Sequence, residues 1–211
     1  MAVRVLEDAV LAPDSVRAHA VEAAWNHLTA AGPLLMPAQR IGVIAAARRA
    51  WAGEHRPPDG GELLVEAAHW LAVDAGGITA DLVADLETRG LDRHRYLETV
   101  GVVAMTANID FYVRGLGASL PTLPEPRDEP PTGAIDPDAG ITDGFVPATG
   151  PLLAPFVLDA LPTEGKVLRA LHEPMYMPMH EMGDHAYRDL LTRPQIELIA
   201  ARTSELNECF Y

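Results

Sequence analysis

Apolar residues recur along most of this chain at intervals of three and four, the spacing of one helix face. The first such run opens at Pro13, where Asp14 and Ser15 offer caps, and carries the stripe Val16, Ala20, Ala23, Ala24 and Leu28. Gly32 and Pro33 close it. A second helix is expected from Pro37 to Ala52, with Ile41, Ile44, Ala45 and Trp51 apolar. After a loop holding Pro57-Pro58 and Gly60-Gly61, a third carries Leu63, Leu64, Ala67, Ala68, Leu71 and Ala72, with Gly76-Gly77 as its C-cap. Thr79 caps a short fourth helix closed by Gly90. Asp92 opens a long fifth reaching about Gly115, with Leu97, Val100, Ala104, Asn108 and Phe111 facing inward. No convincing alternating strand pattern appears, so the expected fold is all-α.

From Ala118 to about Val157 the pattern stops. Nine prolines fall between Pro121 and Pro155, among acidic residues and glycines. That density sustains neither a helix nor an interior strand, so 118–157 reads as a linker or an extended strap. Helical spacing resumes at Thr163, which offers a cap for Val167, Leu168 and Leu171. A methionine-rich segment, Pro174 to Met182, leads to the last helix, introduced by Thr192 and Pro194. Two stretches align with one another: Arg40-Ile-Gly-Val-Ile-Ala-Ala-Ala-Arg48 and Gln195-Ile-Glu-Leu-Ile-Ala-Ala-Arg-Thr203.

Composition narrows the choice of class. The 211 residues suit one or two domains, and 48% hydrophobic content supports a sizeable core. A net charge of −14 argues against nucleic acid or an anionic membrane as partner. No basic leader followed by an apolar segment is visible at the start, and no apolar run approaches membrane length. A single cysteine, Cys209, excludes a disulfide within these residues and suits a reducing cytoplasm.

That cysteine draws attention to the final stretch, Pro194 to Tyr211. Ile196, Ile199, Ala200, Thr203 and Leu206 follow helical spacing, and Glu197 sits in the first turn as a buried carboxylate. A straight helix would hold Glu197 and Cys209 about 18 Å apart. Ser204 and Asn207 are cap-type residues, however. A break between Arg202 and Asn207 would place Cys209 in a new first turn, where backbone N–H groups favour thiolate.

The same stretch resembles a signature of the AhpD-like proteins, also called the carboxymuconolactone decarboxylase family: Glu, eleven residues, Cys, two residues, Cys, three residues, His. Ile196-Glu197-Leu198, Leu206-Asn207-Glu208-Cys209 and Phe210-Tyr211 match in register. The second Cys and the His would fall immediately beyond Tyr211, so the match is expected to be cut inside the motif. Residues 63–116, with Gly90-Leu91, Tyr96-Leu-Glu-Thr-Val-Gly-Val-Val-Ala104 and Asn108, resemble the latter half of such a unit. The resemblance implies a degenerate AhpD-like unit over 1–117, the Pro/Gly-rich connector over 118–157, and the opening half of a second unit over 158–211.

What it further implies is thiol-dependent reduction of a hydroperoxide. Cys209 would be the first cysteine of the redox pair and Glu197 the proton-relay carboxylate, with Tyr211 and Asn207 shaping the pocket. A thiol or dithiol reductant and a homo-oligomeric state are the implied partners, with no cofactor. Without the second cysteine, residues 1–211 are not expected to turn over. A non-enzymatic scaffold or oligomerisation module is the rival reading, and the family's lyase branch a third. No metal site is expected: His180-Glu181 and His185 are one residue too far apart for a shared helix face, and Gly183 interrupts them. His69 and His94 read as structural, and His55 beside Glu54 as a solvated turn pair. Met175, Met177, Met179 and Met182 suit packing or an apolar entrance.

Overall fold

The computed structural model describes residues 5–58, 60–141, 144–150 and 156–206. Among these the fold is all-α. Seven helices follow in order: α1 (Ser15–Leu28), α2 (Pro37–Trp51), α3 (Leu63–Val73), α4 (Ala80–Thr88), α5 (Arg93–Gly115), α6 (Pro162–Met175) and α7 (Arg193–Leu206). Extended pairing among the described residues is limited to two isolated bridges, Gly140 with Ala148 and Arg188 with Thr192. None of these helices is long and apolar enough to cross a membrane.

Short polar side chains set the helix starts. Asp14 accepts the N–H groups of Val16 and Arg17, both at 3.0 Å. Thr79 accepts from Leu82 at 3.2 Å, and Asp92 from His94 and Arg95 at 3.1 Å. Each satisfies donors that the first helical turn leaves open. Gly90, with φ of 110°, ends α4 in a conformation that a side chain would strain.

Two expected caps differ. Thr163 lies inside the first turn of α6, which Pro162 opens from an N-cap at Leu161; proline suits that position because its missing N–H would go unpaired anyway. Gly76-Gly77 is no left-handed cap. It forms a 3-10 turn whose Gly77 N–H donates to Asp74 Oδ1 at 2.9 Å.

Helix α5 is the axis of the molecule. Twelve of its residues are buried, which places core on most of its circumference. Helices α1, α2 and α3 pack around it, α2 lies along α3, and α6 rests on α1 and α5. This explains why the inward stripe expected for α5 is wrong. Of Leu97, Val100, Ala104, Asn108 and Phe111 only Leu97 is buried, and Phe111 is 55% exposed. A helix covered from several sides has no single apolar face for the period to find. The stripe expected on α1 is displaced for a related reason. Val21, Trp25 and Leu28 enter the core, whereas Val16, Ala20 and Ala23 line a cleft against α6.

The proline-rich residues from 118 run along the surface as a strap fastened at several points. Gly32 O accepts the Thr132 N–H at 3.0 Å, Pro33 O that of Gly133 at 2.8 Å, and Ala160 O that of Asp136 at 3.0 Å. Arg48 Nη1 donates to Pro121 O at 2.8 Å, and Arg93 Nη1 to Phe145 O at 3.0 Å. Extended chain has no internal ladder, so its carbonyls and amides find partners on the helices.

Candidate functional site

Two places stand out as candidate sites, one sealed and one open. The sealed one is centred on Arg40, fully buried in α2. Its Nη1 donates to Glu98 Oε1 of α5 at 2.7 Å and to Glu164 Oε1 of α6 at 2.8 Å. Nη2 reaches Glu164 Oε2 at 3.3 Å, and Nε donates to Leu28 O at 3.1 Å. Glu98 Oε2 accepts the N–H groups of Leu34 and Leu35 at 2.7 and 3.1 Å. His27 Nε2 lies 2.7 Å from Glu164 Oε1. Gly32 is required beside this cluster: a Cβ there would collide with the Glu98 carboxylate and the Arg40 guanidinium.

The two carboxylates are held differently. Burial raises the pKa of Glu98; Arg40 opposes this, and the like charge of Glu164 adds to it. Burial also pushes Glu164 upward, but the His27 hydrogen bond and Arg40 outweigh it and hold its pKa down at about 2. Both carboxylates and the guanidinium are fully buried and engaged with protein groups, so the cluster fastens four helices rather than meeting a substrate. Sequence reading missed all four residues. Their signal was a charge on an apolar face: Arg40 precedes Ile44 by one turn, and Glu98 precedes Val102.

The open place lies between α6 and α7. Ile196, Ile199, Ala200 and Thr203, the stripe expected of the last helix, do not enter the core. They line a groove of about 720 Å³ with Met175 and Tyr176. Met177, by contrast, is fully buried and serves packing. Glu197 stands beside the groove. It is not buried as expected: its side chain is 45% exposed, because α7 buries no residue at all. Tyr176 Oη donates to Glu197 Oε1 at 2.9 Å. Arg193 Nε lies 2.7 Å from the same oxygen as an ion-pair contact, its N–H not aligned for a hydrogen bond. Burial and the bond to Glu197 raise the pKa of Tyr176, so its hydroxyl remains a donor at neutral pH.

Asn207, Cys209 and Tyr211 lie outside the described residues. Helix α7 runs unbroken to Leu206, so the expected break does not fall between Arg202 and Leu206. Leu206 lies nine positions beyond Glu197 on the helix, a rise of about 13 Å.

His180 lies in a 3-10 turn, Met179–Glu181, with its Nε2 3.3 Å from Glu181 Oε1, and His185 follows in a loop. Among the described residues no group of three or more His, Cys, Asp and Glu is placed to hold a metal ion. His69 is buried against Trp70, edge to face with ring centroids 5.2 Å apart.

No family model, curated protein or solved structure matches the chain.

Proposed function

We propose that this chain is part of a thiol-dependent oxidoreductase that reduces hydroperoxides, with Cys209 as the reacting thiol and Glu197 as the proton-relay carboxylate. The observation that carries the reading is the setting of Glu197: half exposed, held by Tyr176 and Arg193, beside an apolar groove walled by its own helix. A carboxylate held in place yet open to the groove is suited to passing protons; because α7 is continuous to Leu206, the relay requires the chain to turn back toward Glu197 after that residue. The AhpD-like signature around it supports the same role.

The Cys209 thiolate attacks the terminal peroxide oxygen, the O–O bond breaks, and a sulfenic acid forms as an alkoxide leaves and takes a proton. A second thiol then condenses with the sulfenic acid, releasing water and forming a disulfide, which a dithiol reductant returns to thiols. Cys209 is the only cysteine of residues 1–211, so the resolving thiol comes from outside them.

The test is single-turnover labelling. Cys209 is exposed to stoichiometric tert-butyl hydroperoxide and its sulfenic acid is trapped with dimedone. Trapping faster than that of free cysteine, slowed about 100-fold in Glu197→Gln, is expected for loss of one proton-transfer group. A rate equal to that of free cysteine, or one indifferent to Glu197→Gln, rejects the reading.

One observation favours the scaffold reading instead. Leu198, Ile199 and Leu206 of α7 are 71%, 56% and 67% exposed, an apolar surface suited to a partner helix.

A further inference from the structure

Two cavities meet at one side chain. The smaller, about 290 Å³, lies between α5 and α6, where Val100, Gly101 and Ala104 face Leu158 and Leu168, with Asn108 alongside. The larger is the groove between α6 and α7. His172 lines both. Its ring rests on Tyr176, centroids 5.5 Å apart, and no group among the described residues hydrogen-bonds its nitrogens.

Two neighbouring polar groups are already committed. The Tyr176 hydroxyl serves Glu197, and Arg17, at the far side of the groove, is paired with Asp14 and Asp189. Burial lowers the pKa of His172 from 6.5, against the opposing pull of Glu173. The imidazole is therefore neutral at pH 7 and offers one N–H and one lone pair. A charged occupant would leave water for a cavity lined by no carboxylate, Lys or Arg, at a cost of several kcal/mol. An uncharged occupant with one polar group matches what the site offers. Size sets a further limit: an apolar cavity of about 150 Å³ takes a benzene ring, so the smaller cavity has room for a ring with a short branch.

We propose that the cavity at His172 binds a compact, uncharged hydroxyl compound, an alcohol or phenol with an aromatic or branched body, whose O–H donates to the unprotonated nitrogen of His172. Asn108 supplies a second polar group beside the ligand oxygen. The site is assembled from α5, α6 and the residues that lead into α6, and does not depend on Cys209 chemistry.

The probe is 2-phenyl-2-propanol, titrated into the full chain and followed by calorimetry and by the His172 ring resonances. Saturable binding at one site per chain is expected, with movement of the His172 resonance. tert-Butylbenzene, which has a methyl in place of the hydroxyl, should bind at least tenfold more weakly. His172→Phe should also lose at least tenfold. Ala104 lies exposed at the cavity rim, so Ala104→Phe should block entry without disturbing the core. Equal binding of the hydrocarbon, unchanged affinity in both variants, or no saturable binding up to the solubility of the alcohol overturns the assignment. The titration contains no peroxide, so its outcome is separate from that of the Cys209 labelling.

Discussion

Arg40 has no exposed surface and makes four hydrogen bonds, three of them to carboxylates. Removing it strands Glu98 and Glu164 in the interior. Arg40→Ala is therefore expected to cost about 3–5 kcal/mol in urea unfolding, the usual penalty for breaking a buried pair from one side. A loss below about 1 kcal/mol would show that water reaches the cluster. The carboxylates also fix an acid response. The pKa of Glu164 falls from 4.5 unfolded to about 2 folded, so its contribution is full above 4.5 and fades as pH drops toward 2. Glu98 is raised, so it opposes that loss, favouring the fold at low pH. Glu164→Gln should flatten the acid limb of a stability–pH profile, and Glu98→Gln should steepen it. Little of this was legible in the sequence. Arg40 and Glu98 stand on apolar faces, but a helical period cannot say that those faces meet, nor that Glu164, 124 residues further on, joins them.

At the scale of elements, the sequence was clearest where the physics is local. Asp14, Thr79 and Asp92 cap their helices as their chemistry requires, and Pro37 opens α2. Faces were harder, because burial is decided by neighbours. Val16 looked like core and is 66% exposed. Cys209 and its supposed break could be named from the sequence, yet the setting of Glu197 depends on Tyr176, which no spacing singled out. Helix α6 gives the sharpest prediction at this scale. It is held by the buried Glu164 and by packing on α1 and α5, so its attachment does not depend on an intact strap. Limited proteolysis between Pro124 and Pro131 should leave the fragment carrying α6 bound to the rest through gel filtration. Separation of the fragments under native conditions would show that the strap itself retains α6.

For the whole molecule, the contrast between the aligned helices α2 and α7 is the guide. Val43 and Ile44 are fully buried, whereas Leu198 and Ile199, aligned with them, are exposed. The double variant Leu198→Glu, Ile199→Glu should leave unfolding unchanged within about 0.5 kcal/mol, as for surface positions. If α7 serves as an oligomerisation surface, the same variant should lower the mass seen in sedimentation. A large loss of stability would instead mean that α7 packs against the body in solution. The buried cluster has one more consequence, for the order of assembly. Arg40 and Glu98 are 58 residues apart and belong to α2 and α5, so a neutral pair can close while the remainder of the chain is still unfolded. Glu164 must travel farther along the chain, and loop closure grows costlier and contacts form more slowly with that distance. Folding should therefore proceed in two stages, an early five-helix body followed by late docking of α6, with the second carboxylate arriving at a guanidinium that already has a partner.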